Sequence, residues 1–213
     1  MRFKSVVLDV DSTLAGIEGI DWLAALRGPA MEERSAELTD KAMRGLIPIE
    51  AIYAERVNAV RPTRAEIERL AVAYVEHIAP KARETLGRLR KAGVCLTIAS
   101  GGFQQAILPL ASELGIESDR VHAVRLYFDE HGGYAGFDQN SSLATQFGKR
   151  ETVKGLGLEG PVLGVGDGIT DFEMASVVDA FAAFTGFVRR ESVIAKADYV
   201  VENFDQLLEL VIE

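Results

Sequence analysis

Residues 8–14 read Leu8-Asp9-Val10-Asp11-Ser12-Thr13-Leu14 and close the apolar run Phe3–Leu8 with two carboxylates one residue apart. Charges at the end of a buried strand need a partner or a ligand. One candidate is a calcium loop, because D-x-D-x-[ST] opens an EF-hand. Counted from Asp9, however, the turn-glycine position holds Leu14 and the bidentate-glutamate position holds Ile20, so the register fails. The other candidate is a site at the carboxyl end of a parallel strand, where open α/β sheets hold their ligands. Side chains alternate along a strand with period two, so Asp9 and Asp11 project to the same side. For the pair taken alone, turn caps are the rival explanation.

Outward from this stretch, β-branched runs alternate with helical patterns, as in parallel βαβ units. Strands are predicted at Phe3–Val10, Val94–Ala99, Pro161–Val165, Ala180–Phe184 and Asp198–Val201, and helices at Gln104–Leu114, Lys149–Leu156, Asp171–Val177 and Phe204–Ile212. The fold class is therefore α/β, with a doubly wound, Rossmann-like parallel sheet. Between the first strand and Pro80 the pattern is helical only. Gly28-Pro29 stops one helix, Pro48 suits the first turn of another, and Thr63-Arg64-Ala65-Glu66 is a capping box opening a third. This divides the chain into an α/β core, residues 1–14 and 80–213, and a small helical cap, residues 15–79. Pro80 begins the return helix, which Gly93 ends. A hairpin is expected where VHAVRLYF and GYAGF flank Asp129-Glu130-His131-Gly132-Gly133. Gly155-Leu156-Gly157-Leu158-Glu159-Gly160 fits G-x-G-x-x-G, but it follows a helix and precedes a strand, the reverse of the dinucleotide fingerprint.

At 213 residues and 48% hydrophobic content the chain can bury a large core. A net charge of −9 with no lysine-arginine cluster argues against nucleic acid or an anionic membrane as partner. An anionic ligand would need local cations or a metal. Cys95 is the single cysteine, so no intrachain disulfide is possible, and it sits in the apolar run VCLTIA as a packing residue. The N-terminal stretch carries no signal-peptide pattern, and no apolar run approaches the roughly 20 residues of a spanning helix. A cytoplasmic protein acting on a small molecule is expected, as a monomer or a homodimer.

Three strand ends carry chemistry. The first ends in Asp9-Val10-Asp11-Ser12-Thr13, the second in Ser100-Gly101-Gly102-Phe103, and the third in Gly166-Asp167-Gly168-Ile169-Thr170-Asp171, with Lys149 near the start of the preceding helix. In a doubly wound sheet these ends converge. Ser100 with glycine amides before a helix makes an anion cradle, and equally an ordinary N-cap. Asp167 and Asp171, one helical turn apart and flanked by glycines, suit a hard cation, although aspartates are common in turns. Lys149 alone reads as a surface lysine.

Together and in this order, the D-x-D-x-T loop, the strand-two serine, the lysine and the G-D-x-x-x-D loop resemble the haloacid dehalogenase (HAD) superfamily of phosphotransferases. Within it the chain is similar to the phosphoserine phosphatase family, on DVDST, Glu18-Gly19-Ile20-Asp21, Ala42-Met43, Glu55-Arg56-Val57, SGGF, YAGFD and GDGITD. The resemblance implies Mg²⁺-dependent hydrolysis of O-phosphoserine to serine and phosphate, the last step of serine biosynthesis. It implies Asp9 as nucleophile and metal ligand, Asp11 as acid/base and as a metal ligand through its backbone carbonyl, and Asp167 and Asp171 at the metal. Lys149, Ser100 and Gly101 would hold the phosphoryl group. Glu18 would take the substrate ammonium, Arg56 its carboxylate in a bidentate pairing, and Met43 would form an apolar wall. The residues alone do not separate Arg56 from Arg44 or Arg61. Thr170 stands where relatives carry threonine or asparagine, and Ile49 departs from the usual phenylalanine. The rival readings are a HAD phosphatase for a sugar, pyridoxal or nucleotide phosphate, and a non-enzymatic phospho-acceptor domain.

Overall fold

The computed structural model describes all 213 residues. Strand β1 (Ser5–Leu8) is followed by four helices, α1 (Gly19–Ala25), α2 (Pro29–Met43), α3 (Tyr53–Val60) and α4 (Arg64–Glu76), before α5 (Ala82–Lys91) returns the chain to β2 (Cys95–Phe103). Then come α6 (Gln104–Glu113), β3 (Val121–Val124), β4 (Leu126–Phe128), β5 (Tyr134–Phe137), α7 (Gly148–Gly155), β6 (Val162–Gly166), α8 (Ile169–Phe172), β7 (Ala180–Phe184), α9 (Glu191–Ile194), β8 (Tyr199–Val201) and α10 (Phe204–Ile212).

The main sheet runs β3-β2-β1-β6-β7-β8, with every neighbouring pair parallel. The chain leaves β1 toward β2 on one side and returns to β6 on the other. The crevice at such a switch of direction opens beyond the carboxyl ends of β1, β2 and β6, the three strands that end in chemical motifs.

The sheet is buried on both faces, and period two sorts its residues between them. Val6, Leu8, Leu163, Val165, Ala182 and Phe184 join the larger core, whereas Val7, Val162, Phe181 and Ala183 join a smaller one under Met174 and Val193. The larger core runs without a break into the helical insertion through Leu14, Leu23, Val57, Leu70 and Tyr74. The α/β fold with a doubly wound parallel sheet is thus present as the sequence implies.

Local signals explain the insertion. Gly28 takes φ 105°, which a side chain would resist, and Pro29 opens α2 at its first turn. Thr63 and Glu66 close a capping box at the start of α4. Three expectations are corrected. Val121–Val124 belongs not to the hairpin but to the main sheet, paired in parallel with β2, so only β4 and β5 form the antiparallel pair. The helix expected over Asp171–Val177 starts at Ile169, ends at Phe172 and continues as a 3₁₀ turn over Glu173–Ser176. Strand one is shorter than Phe3–Val10, because beyond Leu8 the backbone turns to form the site. The β4–β5 hairpin braces the insertion: Tyr134 donates to Asn58 at 3.0 Å, and Phe137 meets Tyr53 edge-on with centroids 5.4 Å apart.

Candidate active site

β1 ends at Leu8, and in the turn that follows Ser12 takes φ 53°, a left-handed conformation that costs a serine about 1 kcal/mol. The turn is held by what it aims. Ser12 Oγ donates to Glu18 at 2.6 Å, and Thr13 Oγ1 reaches Asp167 Oδ1 at 3.5 Å. Ser12 is thus buried, with its hydroxyl proton committed to Glu18.

One cavity at the strand ends is lined by Asp9, Asp11, Glu18, Met43, Arg56, Ser100, Gly101, Lys149, Asp167 and Thr170. Of the residues singled out from sequence, only Asp171 stands behind it, fully buried. Carboxylate oxygens of Asp9, Asp167 and Asp171 lie within 4.8 Å of one another. Lys149 Nζ is 2.6 Å from Asp9 Oδ1 and also hydrogen-bonds Asp171 Oδ1. Asp171 Oδ2 accepts the Gly168 N–H at 2.8 Å, which fixes the turn after β6.

Packing three acids this closely has an electrostatic cost. Burial, and then the charge of Asp171, push the Asp9 pKa up to about 7 against the pull of Lys149. Asp11 is raised well above the ordinary aspartate range by burial and then by Glu18 and Asp9, with bonds from Tyr74 and Gly19 opposing. Glu18 is also raised, first by burial. Burial works against the Lys149 ammonium, but Asp171 and Asp9 together hold its pKa above the lysine range. The three clustered carboxylates outnumber the two cations beside them, Lys149 and Arg190, and their hard oxygen donors are those of a divalent-cation site.

In the same cavity, Ser100 Oγ accepts the Gly102 N–H at 3.0 Å, leaving its hydroxyl proton free. Tyr53 reaches down from α3 to donate to the Gly101 carbonyl at 2.7 Å. Met43 packs over the β6 loop: a Cβ on Gly168 would lie 2.6 Å from its sulfur, and Thr170 Oγ1 is 3.7 Å from it. Ile49 lines the cavity, and Tyr53, four residues on, brings an aromatic ring to the same lining.

Arg56 is buried in a fixed frame. Its Nη2 donates to Asp21 at 2.7 Å and to Thr39, and its Nε faces Ser35 Oγ at 3.4 Å. Nη1 is the nitrogen left over, so a ligand carboxylate would meet one nitrogen rather than the bidentate pairing expected from sequence. Arg44, by contrast, is exposed and paired with Asp40, and Arg61 stacks over Tyr134. The geometry separates three arginines that sequence could not.

Four functional neighbours were missed: Asp21, Tyr53, Tyr74 and Arg190. Arg190, 7% exposed in the loop after β7, contacts Asp167 Oδ2. Tyr74 donates to Asp11 Oδ1 at 2.6 Å. Only Asp21, within Glu18-Gly19-Ile20-Asp21, lay in a stretch that sequence had marked.

The family model of haloacid dehalogenase-like hydrolases matches residues 3–179. A phosphoserine phosphatase from Bos taurus is 37% identical over 207 residues, covering 96% of this chain and 91% of the bovine protein. Among solved structures, a phosphoserine phosphohydrolase-like protein from Francisella tularensis superposes with a TM-score of 0.90 at 25% identity, covering 98% of this chain and all of that one. A phospho-aspartyl intermediate analogue of phosphoserine phosphatase gives 0.83 at 25% identity, covering 99% of this chain and 100% of its own. Motif order, sheet topology and near full-length similarity agree: the chain belongs to the haloacid dehalogenase-like hydrolases and, within them, to the phosphoserine phosphatase family.

Proposed function

We propose that this hydrolase cleaves O-phosphoserine to serine and phosphate through an aspartyl-phosphate on Asp9, with Mg²⁺ as its cation, and so supplies serine to its cell. The observation that carries the reading is a single cavity lined by two unlike sets of groups. Asp9, Lys149, Ser100 and Gly101 suit a phosphate, and Glu18 and Arg56 add one anion and one cation to the same lining. An amino acid zwitterion presents the complementary pair. The relative named as an aspartyl intermediate analogue supports the covalent step.

In the first half-reaction an Asp9 oxygen bonds to phosphorus, the bond from phosphorus to the seryl oxygen breaks, and Asp11 delivers its proton to that oxygen. In the second, water attacks the acyl phosphate, gives its proton to Asp11, and Asp9 is regenerated. Lys149, the Ser100 hydroxyl and the Gly101 amide hold the phosphoryl oxygens as charge shifts between them. The buried oxygens of Asp9, Asp167 and Asp171 fit a hard divalent cation, which they would hold with the Asp11 backbone carbonyl. Bound there, the cation offsets the repulsion between the Asp9 carboxylate and the phosphate dianion. The insertion, residues 15–79, serves as a cap over the core, residues 1–14 and 80–213, and brings Glu18, Met43 and Arg56 to a small-molecule substrate.

The test is phosphate release from a panel of phosphorylated metabolites with Mg²⁺ or with chelator. Phosphoserine should be turned over faster than sugar, pyridoxal or nucleotide phosphates, and chelator should abolish release. Equal turnover of a phosphate with no amino acid group would sink the substrate assignment.

Arg56→Ala sharpens it. Losing a desolvated partner for a carboxylate costs about 2–5 kcal/mol, so KM for phosphoserine should rise steeply. An aryl phosphate, which has no carboxylate, should be hydrolysed nearly as before. Because Asp21, Ser35 and Thr39 lose their shared partner too, equal loss on both substrates would make Arg56 a structural residue of the cap.

A further inference from the structure

We infer that Tyr74 is a positioning residue that decides which oxygen of Asp11 carries the transferable proton; the inference rests on the phosphatase reading above. Both protein hydrogen bonds to the Asp11 carboxyl end on Oδ1, one from the Tyr74 hydroxyl at 2.6 Å and one from the Gly19 N–H at 3.2 Å. In a neutral carboxyl group, an oxygen that receives two donors is the carbonyl oxygen, since a proton placed on it would face two others. Oδ2, which no protein donor occupies, is therefore the oxygen free to exchange a proton in the cavity that Asp11 lines.

Tyr74 is built into a slot that prevents it from doing otherwise. It is fully buried near the end of α4. A Cβ on Gly19 would lie 2.2 Å from its hydroxyl oxygen, and one on Gly102 would lie 3.4 Å from it. The hydroxyl is thus held between the first residue of α1 and the Ser100-Gly101-Gly102 end of β2, against the one carboxyl oxygen it serves. When Oδ2 gives its proton to the departing seryl oxygen, the same two donors remain on the new carboxylate and keep Oδ2 aimed for the return proton from water. Neither donor is consumed in the cycle.

Leaving-group chemistry separates this role from simple packing. A seryl oxygen needs a proton to depart, whereas nitrophenolate does not, and kcat/KM reports steps through the first irreversible transfer. In Tyr74→Phe, kcat/KM for phosphoserine should fall about tenfold while that for p-nitrophenyl phosphate stays within about twofold. Nitrophenol should appear as a burst, because the later step still needs Asp11 as base. Gly19→Ala, whose new methyl displaces the hydroxyl while leaving Tyr74 intact, should reproduce the same selectivity. Parallel losses on both substrates, or no loss on phosphoserine, overturn the role given to Tyr74. Wild-type protein that fails to hydrolyse phosphoserine overturns the function itself, and this inference with it.

Discussion

Asp9→Asn should lower phosphate release from phosphoserine by at least about 10⁴-fold and leave no acid-stable phosphoryl label on the protein. Asparagine has the same shape, but its amide has no nucleophilic anion and cannot form the acyl phosphate. The site around it should persist. Lys149 keeps Asp171 as a partner, and removing one of three carboxylates packed within 4.8 Å relieves repulsion rather than creating it. The melting temperature in chelator should therefore be no lower than wild type. Cation affinity, read by calorimetry, should weaken, because one of the three clustered carboxylates is gone. Acid-quenched protein that still carries phosphoryl label would move the nucleophile elsewhere.

The strand ends were legible because two local rules sufficed. Period-two apolar runs place strands, and motifs that follow parallel strands converge whatever the details of packing. That is why Asp9, Ser100, Asp167 and Lys149 could be put together before any geometry was known. The helical insertion was legible through punctuation: Gly28-Pro29 and the Thr63–Glu66 box act locally. Strand β3 was not. Val121–Val124 is four residues long and runs straight into Leu126–Phe128, so one extended run had two partners, and only the parallel pairing to β2 divides it.

Residues whose role depends on long-range packing left no signal. Tyr74 lies 63 positions from Asp11 and sits on the buried face of α4 among Ile67, Leu70 and Ala71, where an aromatic reads as core. Arg190 follows Arg189 in the loop before α9, and only the fold turns the second of the pair inward to Asp167 while the first pairs with Glu191. Asp21, in the first turn of α1, reads as a helix-dipole acid, yet it anchors Arg56 from 35 positions away. The bidentate pairing expected for Arg56 assumed a free guanidinium. The observed frame commits two of its nitrogens within the protein, which exchanges reach for a fixed direction.

Asp11→Asn should separate proton transfer from cation binding. The amide oxygen can still accept from Tyr74 and Gly19, which directs the NH₂ group to the place of Oδ2, where it can neither give nor take the proton. Turnover of phosphoserine should fall roughly 10²–10⁴-fold, in kcat and kcat/KM together. Two readouts distinguish this from damage to the site. Cation affinity should match wild type, because the Asp11 side chain is not one of the three clustered carboxylates, in contrast to Asp9→Asn. The first transfer from p-nitrophenyl phosphate should be spared, so the variant should release a burst of nitrophenol and then stall as a phospho-enzyme awaiting its base. A variant that keeps wild-type turnover of phosphoserine would show that another group, or solvent, handles the proton. A variant that also loses cation affinity would show instead that Asp11 belongs with Asp9, Asp167 and Asp171. In that case the two carboxylates that end the first strand would share one task rather than divide two.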